Sequence, residues 1–194
     1  MKKEKEIRYI NEIQSADEES RKVEGYALVF NSESEDLGFI ETIEKDAIDD
    51  EVIAKSDVFA WLNHDEKRGC LARSRHGKGS LKLTIDSKGL KYEFDAPKTA
   101  LGNELLESLK RGDISASSFA FTVANGGESW EKRDGKYYRT ITKIDRLFDV
   151  SPVYNPAYSE TSVACRSFDN IIKIEKENLA DYWKSLDAEI DSIE

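Results

Sequence analysis

The rhythm of apolar and polar positions along the chain changes several times, and each rhythm assigns an element. In "KVEGYALVFN" (Lys22 to Asn31), Tyr26, Leu28 and Phe30 alternate with Val23, Gly25, Ala27 and Val29, so both faces carry apolar or small side chains. A strand buried on both sides, as in a closed barrel, has this pattern. "DVFAWLNHD" (Asp57 to Asp65) is a second strand-like run that stops at Asn63-His64-Asp65 and leaves His64 at a strand end. In "SLKLTIDSKGLKYEFDAP" (Ser80 to Pro97), Leu81, Leu83 and Ile85 alternate, Ser87-Lys88-Gly89 turns, and Leu90, Tyr92 and Phe94 alternate back. This is a hairpin.

A helix follows, with Leu101, Leu105, Leu106 and Leu109 at helical spacing and Gly112 behind Lys110 and Arg111 as its stop. "RGDISASSFAF" (Arg111 to Phe121) then crowds Ser115, Ser117 and Ser118 between that helix and another strand. "SWEKRDGKYYRTITKI" turns at Asp134-Gly135, and "RLFDVSPVYNPAY" adds a strand that two prolines end. Many antiparallel strands and few helices predict a mostly β barrel or sandwich with helical insertions. From Ile171 to Ile193 the rhythm changes again. Leu179, Tyr182, Trp183, Leu186, Ile190 and Ile193 recur every three or four residues among acidic ones, which is an amphipathic helix.

The 194 residues suffice for one domain plus tails. Charged residues at 35% and a mean hydropathy of -0.62 imply a heavily solvated surface or polar ends. A net charge of -10 argues against nucleic-acid binding, since only "MKKEK" and "RSRHGKG" are locally basic. No apolar run reaches the roughly 20 residues of a membrane span, and no secretory h-region follows the charged start. A cytoplasmic protein is therefore expected, with Cys70 and Cys165 both reduced and serving as fillers.

Two histidines and two cysteines without paired spacing argue against a zinc site, and no phosphate-cradling glycine motif occurs, so neither metal nor cofactor is expected. Acyl transfer by a hydroxyl stays feasible. It needs a base and an acceptor that orients the base. The base is His64 or His76, and His76 in "SRHGKG" reads as an exposed loop residue. On composition alone the favoured reading of His64 is an ordinary strand-end residue capping a turn with Asn63 and Asp65, and that of the serines is small turn residues. Asp149, between Phe148 and Val150 in a buried-looking run, needs a partner, either an imidazolium or a cation such as Arg146.

Taken in order, "VEGYALVFN", Asn63-His64-Asp65, "KGLKYEF", "LLESLKRGDISASSFAF" and "DVSPVYNPAYSET" resemble the prohead maturation proteases of tailed bacteriophages, serine peptidases related to the herpesvirus assemblins. The resemblance runs from about Val23 to Arg166. It implies a closed antiparallel β-barrel of that type with peripheral helices, and it assigns the catalytic histidine to His64, the nucleophile to Ser118 and the acid to Asp149. Two places depart from the family pattern. Ala116 and Ser117 stand where a glycine and a larger apolar residue are usual, which leaves Ser117 or Ser115 as competing nucleophiles, and the assemblins carry a second histidine where Asp149 falls. Strand alternation favours Ser118, because Phe119 and Phe121 pointing inward turn Ser118 the other way, where it is expected to be exposed, and bury Ser117 with them.

The expected organisation is an N-terminal strand and lead-in over 1–21, a protease domain over 22–166 and an acidic helical tail over 167–194. The resemblance further implies cleavage of the coat protein's scaffold region or of a scaffolding protein inside the immature shell, with self-digestion. Its partners would be the major capsid protein, a scaffolding protein and, by analogy with the assemblins, a second copy in a homodimer. A non-catalytic assembly module is the rival reading. An esterase or amidase is remoter, because GxSxG is absent.

Overall fold

The computed structural model describes residues 5–10, 13–15, 20–154 and 162–191. Its elements in chain order are β1 (Glu6–Ile10), β2 (Ile13–Ser15), β3 (Lys22–Val29), β4 (Ile40–Ile43), α1 (Asp50–Lys55), β5 (Asp57–Ala60), β6 (Ala72–Arg75), β7 (Lys78–Gly79), β8 (Lys82–Ile85) and β9 (Gly89–Asp95). They continue with α2 (Ala100–Arg111), β10 (Ala116–Val123), β11 (Glu128–Arg133), β12 (Lys136–Ile141), β13 (Ile144–Val153) and α3 (Ser162–Asp191).

The local chemistry explains the boundaries. Thr99 Oγ1 accepts from the Gly102 amide at the start of α2, and Gly112 ends that helix in the left-handed region at φ 78°. A residue with a Cβ is strained there, so glycine fits the C-cap. Asp86 closes the β8–β9 hairpin, its Oδ1 accepting from the Lys88 and Gly89 amides. Asp134 and Gly135 both have positive φ, as a two-residue turn between β11 and β12 requires.

The strands divide among three sheets, ordered β1-β10-β13-β5-β6-β7, β11-β12-β4 and β2-β3-β9-β8. None closes on itself, so the expected closed antiparallel barrel is corrected to a mixed α+β fold with several open sheets. Two pairings, β13 with β5 and β12 with β4, are parallel. The alternation that named the strands carries no record of either feature. Closure and strand direction depend on pairing between distant segments and on a matched stagger around the ring. The core between the sheets includes Val23, Leu28, Tyr92, Leu105, Phe119, Phe121, Ile141 and Val150.

Contacts divide the chain into two compact units, Met1–Ser159 and Glu160–Glu194. In the second, α3 runs for 30 residues and exposes Ile174, Leu179, Tyr182 and Trp183. Ile193 of the expected amphipathic stripe lies outside the described residues, as do 155–161 of the motif that follows β13.

Candidate active site

Antiparallel pairing of β10 with β13 sets Ser118 directly across from Ser151, and Ala120 across from Asp149. Opposite residues in an antiparallel ladder share a face, and so do residues two apart on one strand. Ser118, Ser151 and Asp149 therefore stand on one side of the sheet. Phe119 and its partner Val150 point the other way into the core, where Phe121 stacks on Phe119 at a centroid distance of 4.9 Å. Ser117 faces the core as well. It shares a 2.6 Å hydrogen bond with the Tyr92 hydroxyl, and burial pushes that phenol well above its ordinary pKa despite this hydrogen bond.

His64 reaches this face from the turn after β5. Asn63 and His64 take φ values of 55° and 57°, two consecutive side-chain-bearing residues in the left-handed region. Such backbone persists only where the surroundings impose it, and it concentrates at functional sites. Here Leu62 is fully buried below the turn, and the Asn63 amide donates to the Pro152 carbonyl at 2.9 Å. The result places His64 Nδ1 at 2.7 Å from Asp149 Oδ1. The two atoms approach closely without an aligned hydrogen bond, and neither ring nitrogen has a hydrogen-bond partner among the described residues. Nε2 is buried.

Asp149 is thus partnered by an imidazole, while Arg146 is exposed. A second hydrogen bond reaches Asp149 Oδ1 from the Ser151 hydroxyl at 2.8 Å. Ser118, expected to be exposed, is instead 3% exposed, because its strand β10 is paired on one edge by β1 and on the other by β13, and its Oγ donates to the Arg8 carbonyl of β1 at 2.9 Å. Its hydroxyl is accordingly turned toward β1 and not to His64. His76 lies apart in the β6–β7 turn, exposed, with Nδ1 3.2 Å from the Ala54 carbonyl oxygen. Cys70, expected as a filler, is exposed. Among the described residues no three His, Cys, Asp or Glu side chains gather as metal ligands would, and no helix is long and apolar enough to cross a membrane.

One buried cluster has no counterpart in the sequence reading. On the core side of β1, Arg8 donates through Nε and Nη2 to Glu41 at 2.6 and 2.7 Å. Arg139 of β12 donates to Glu6 at 2.5 and 2.8 Å, to Glu41 at 2.7 Å and to Glu128. Burial alone would raise the Glu6 pKa, yet the Arg139 and Arg8 guanidiniums hold it below its ordinary value of 4.5. Burial opposes the charge on Arg139 in the same way, and the surrounding carboxylates raise its pKa overall. The network ties β1, the strand that accepts the Ser118 hydrogen bond, to β4, β11 and β12. Glu6 and Arg8, two positions apart, lie on one face of a strand, and that pair was the one local trace of the network.

A hydroxyl, an imidazole and a carboxylate carried by neighbouring strands are the groups from which serine peptidases are built. The chain belongs to the caudovirus prohead serine protease family, whose sequence profile matches residues 9–174. Its function is accordingly that of a capsid-maturation protease of tailed phages. Among solved structures, the capsid assembly protease of bacteriophage T4, gp21, aligns with a TM-score of 0.45 and 14% identity, covering 80% of this chain and 100% of that one. No curated protein matches the sequence.

Proposed function

We propose that the chain is a serine endopeptidase in which Ser118 attacks the peptide carbonyl, His64 takes the hydroxyl proton and passes it to the leaving amine, and Asp149 orients the imidazole. The observation that supports this reading best is the shared sheet face of Ser118 and Asp149, with His64 Nδ1 2.7 Å from that carboxylate. Catalysis requires the Ser118 hydroxyl to leave the Arg8 carbonyl and rotate toward Nε2. Catalytic hydrogen bonds are often loose in a free enzyme and tighten when substrate binds. The low exposure of Ser118 means that a peptide enters only after the covering atoms move.

The substrates that suit a prohead protease are the scaffold region of the coat protein, a separate scaffolding protein and the protease itself, cut inside the shell in the bacterial cytoplasm. The amphipathic helix is the segment suited to hold the chain to its capsid partners or to a second copy. The covered, Arg8-bound Ser118 is the one observation favouring a non-catalytic assembly module. Co-expression with the cognate coat protein separates the two, read by intact mass beside Ser118→Ala. Cleavage by the wild type but not by the variant supports the protease. Cleavage by both moves the nucleophile elsewhere, and shells that need the chain while neither version cuts identify the module.

A further inference from the structure

We propose that Ser151 is a positioning residue of this site, its hydroxyl fastening the Asp149 carboxylate and the His64 turn to one another. The inference rests on the Ser118, His64 and Asp149 reading above.

Ser151 is fully buried, where a hydroxyl without partners is costly. Both of its hydrogen-bonding capacities are used, and both point at the site. It donates to Asp149 Oδ1 at 2.8 Å, the same oxygen that meets His64 Nδ1. It accepts from the Trp61 amide at 3.3 Å. Trp61 opens the turn that carries His64, and two positions later the Asn63 amide is held by the carbonyl of Pro152, the residue after Ser151. Consecutive residues of β13 therefore hold the His64 turn at two points, one through a side chain and one through backbone. Only the side-chain tie also grips the carboxylate.

Packing alone would not call for a hydroxyl here. Val150 and Val153 on the same strand are apolar and buried, and alanine would fill most of the space of Ser151. Without the hydroxyl, Asp149 Oδ1 loses the donor that fixes its torsion, and the Trp61 amide loses its acceptor. Both ends of the histidine–carboxylate pair are then less well aimed at the position Ser118 must reach. Misplacement of a catalytic group by about 1 Å costs on the order of 100-fold in rate.

Ser56 supplies an internal control. It is equally buried, donates to the Val52 carbonyl at 2.6 Å and accepts from the Leu147 amide at 3.1 Å, but joins α1 to β13 without touching the site. Ser56→Ala therefore reports the general effect of losing a buried bridging hydroxyl.

The test uses the full chain and a fluorophosphonate probe. The Ser118 Oγ–P bond forms, the P–F bond breaks, fluoride leaves, and the hydroxyl proton passes to His64 Nε2. Labelling rates are compared for wild type, Ser118→Ala, Ser151→Ala, Ser151→Thr and Ser56→Ala. The protein has only two histidines, so ¹⁵N-histidine labelling also reports on the His64 ring through its ring-nitrogen signals.

The expected result is labelling slowed about 10- to 100-fold by Ser151→Ala, little changed by Ser56→Ala, and restored to within about 3-fold by Ser151→Thr. The His64 ring-nitrogen signals should shift or broaden in Ser151→Ala and stay unchanged in Ser56→Ala. Three results overturn the inference: wild-type labelling by Ser151→Ala while Ser118→Ala is inert, equal slowing by Ser151→Ala and Ser56→Ala, or failure of threonine to recover the rate. Undiminished labelling of Ser118→Ala instead overturns the underlying assignment of the nucleophile.

Discussion

Ser118 Oγ donates its hydrogen to the Arg8 carbonyl 2.9 Å away, so the candidate nucleophile is tethered to the N-terminal strand β1. Its sequence neighbour Ser117 turns to the opposite side of β10 and bonds the buried Tyr92 hydroxyl at 2.6 Å. Two adjacent serines thereby acquire different roles, and they are separable by experiment.

Ser118→Ala should abolish cleavage while costing only about 1 kcal/mol of stability, the net value of one hydrogen bond. Ser117→Ala should do the reverse. It removes a partner of a buried phenol, costing roughly 1–3 kcal/mol, and leaves cleavage in place. Urea unfolding together with intact mass of the coat protein measures both effects.

Asp149→Asn should preserve the fold and slow turnover by roughly 10³- to 10⁴-fold, because an amide presents a donor where the carboxylate stabilises the imidazolium and selects its tautomer. Time courses of coat-protein cleavage against wild type check this. A loss under 10-fold removes Asp149 from the mechanism.

Arg139→Leu leaves Glu6, Glu41 and Glu128 without the guanidinium they share. Breaking a buried ion network by removing one partner costs about 3–5 kcal/mol. The urea midpoint should fall accordingly, and an unchanged midpoint would show the network to be energetically idle.

The same network makes an acid-sensitive contribution to stability. The folded-state pKa of Glu6 lies below its ordinary 4.5, so folding favours the ionised form. That contribution is fully present above about pH 4.5 and is lost as pH falls through the lowered folded value. In Glu6→Gln, stability measured by urea between pH 7 and pH 3 should decline less steeply than in wild type.

Hairpin positions and the long helices were legible because their signals are local. Asp134-Gly135 fixes one turn, Gly112 ends α2, and Phe119 and Phe121 mark the face of β10 that meets the core. The His64 turn was visible only as a strand end. Its left-handed Asn63 and His64 are residue types that tolerate that region, and the Asn63 amide is held by Pro152, far along the chain. The β1 network was illegible for a similar reason, since Glu6 and Arg139 are 133 positions apart. Alternating charges in a short N-terminal segment look solvated until another strand covers them.

By itself, then, the sequence determined the strand periods, the turns, the helix ends and the order of the His, Ser and Asp motifs, all encoded in residues a few positions apart. The tertiary structure decided which strands pair and in which direction, that the sheets remain open, that Asp149 meets His64 and Ser151, and that Ser118 rests against Arg8. These arrangements are set by burial and hydrogen bonding between distant segments competing with the entropy of closing the loops between them, and that balance leaves no periodic trace in the chain.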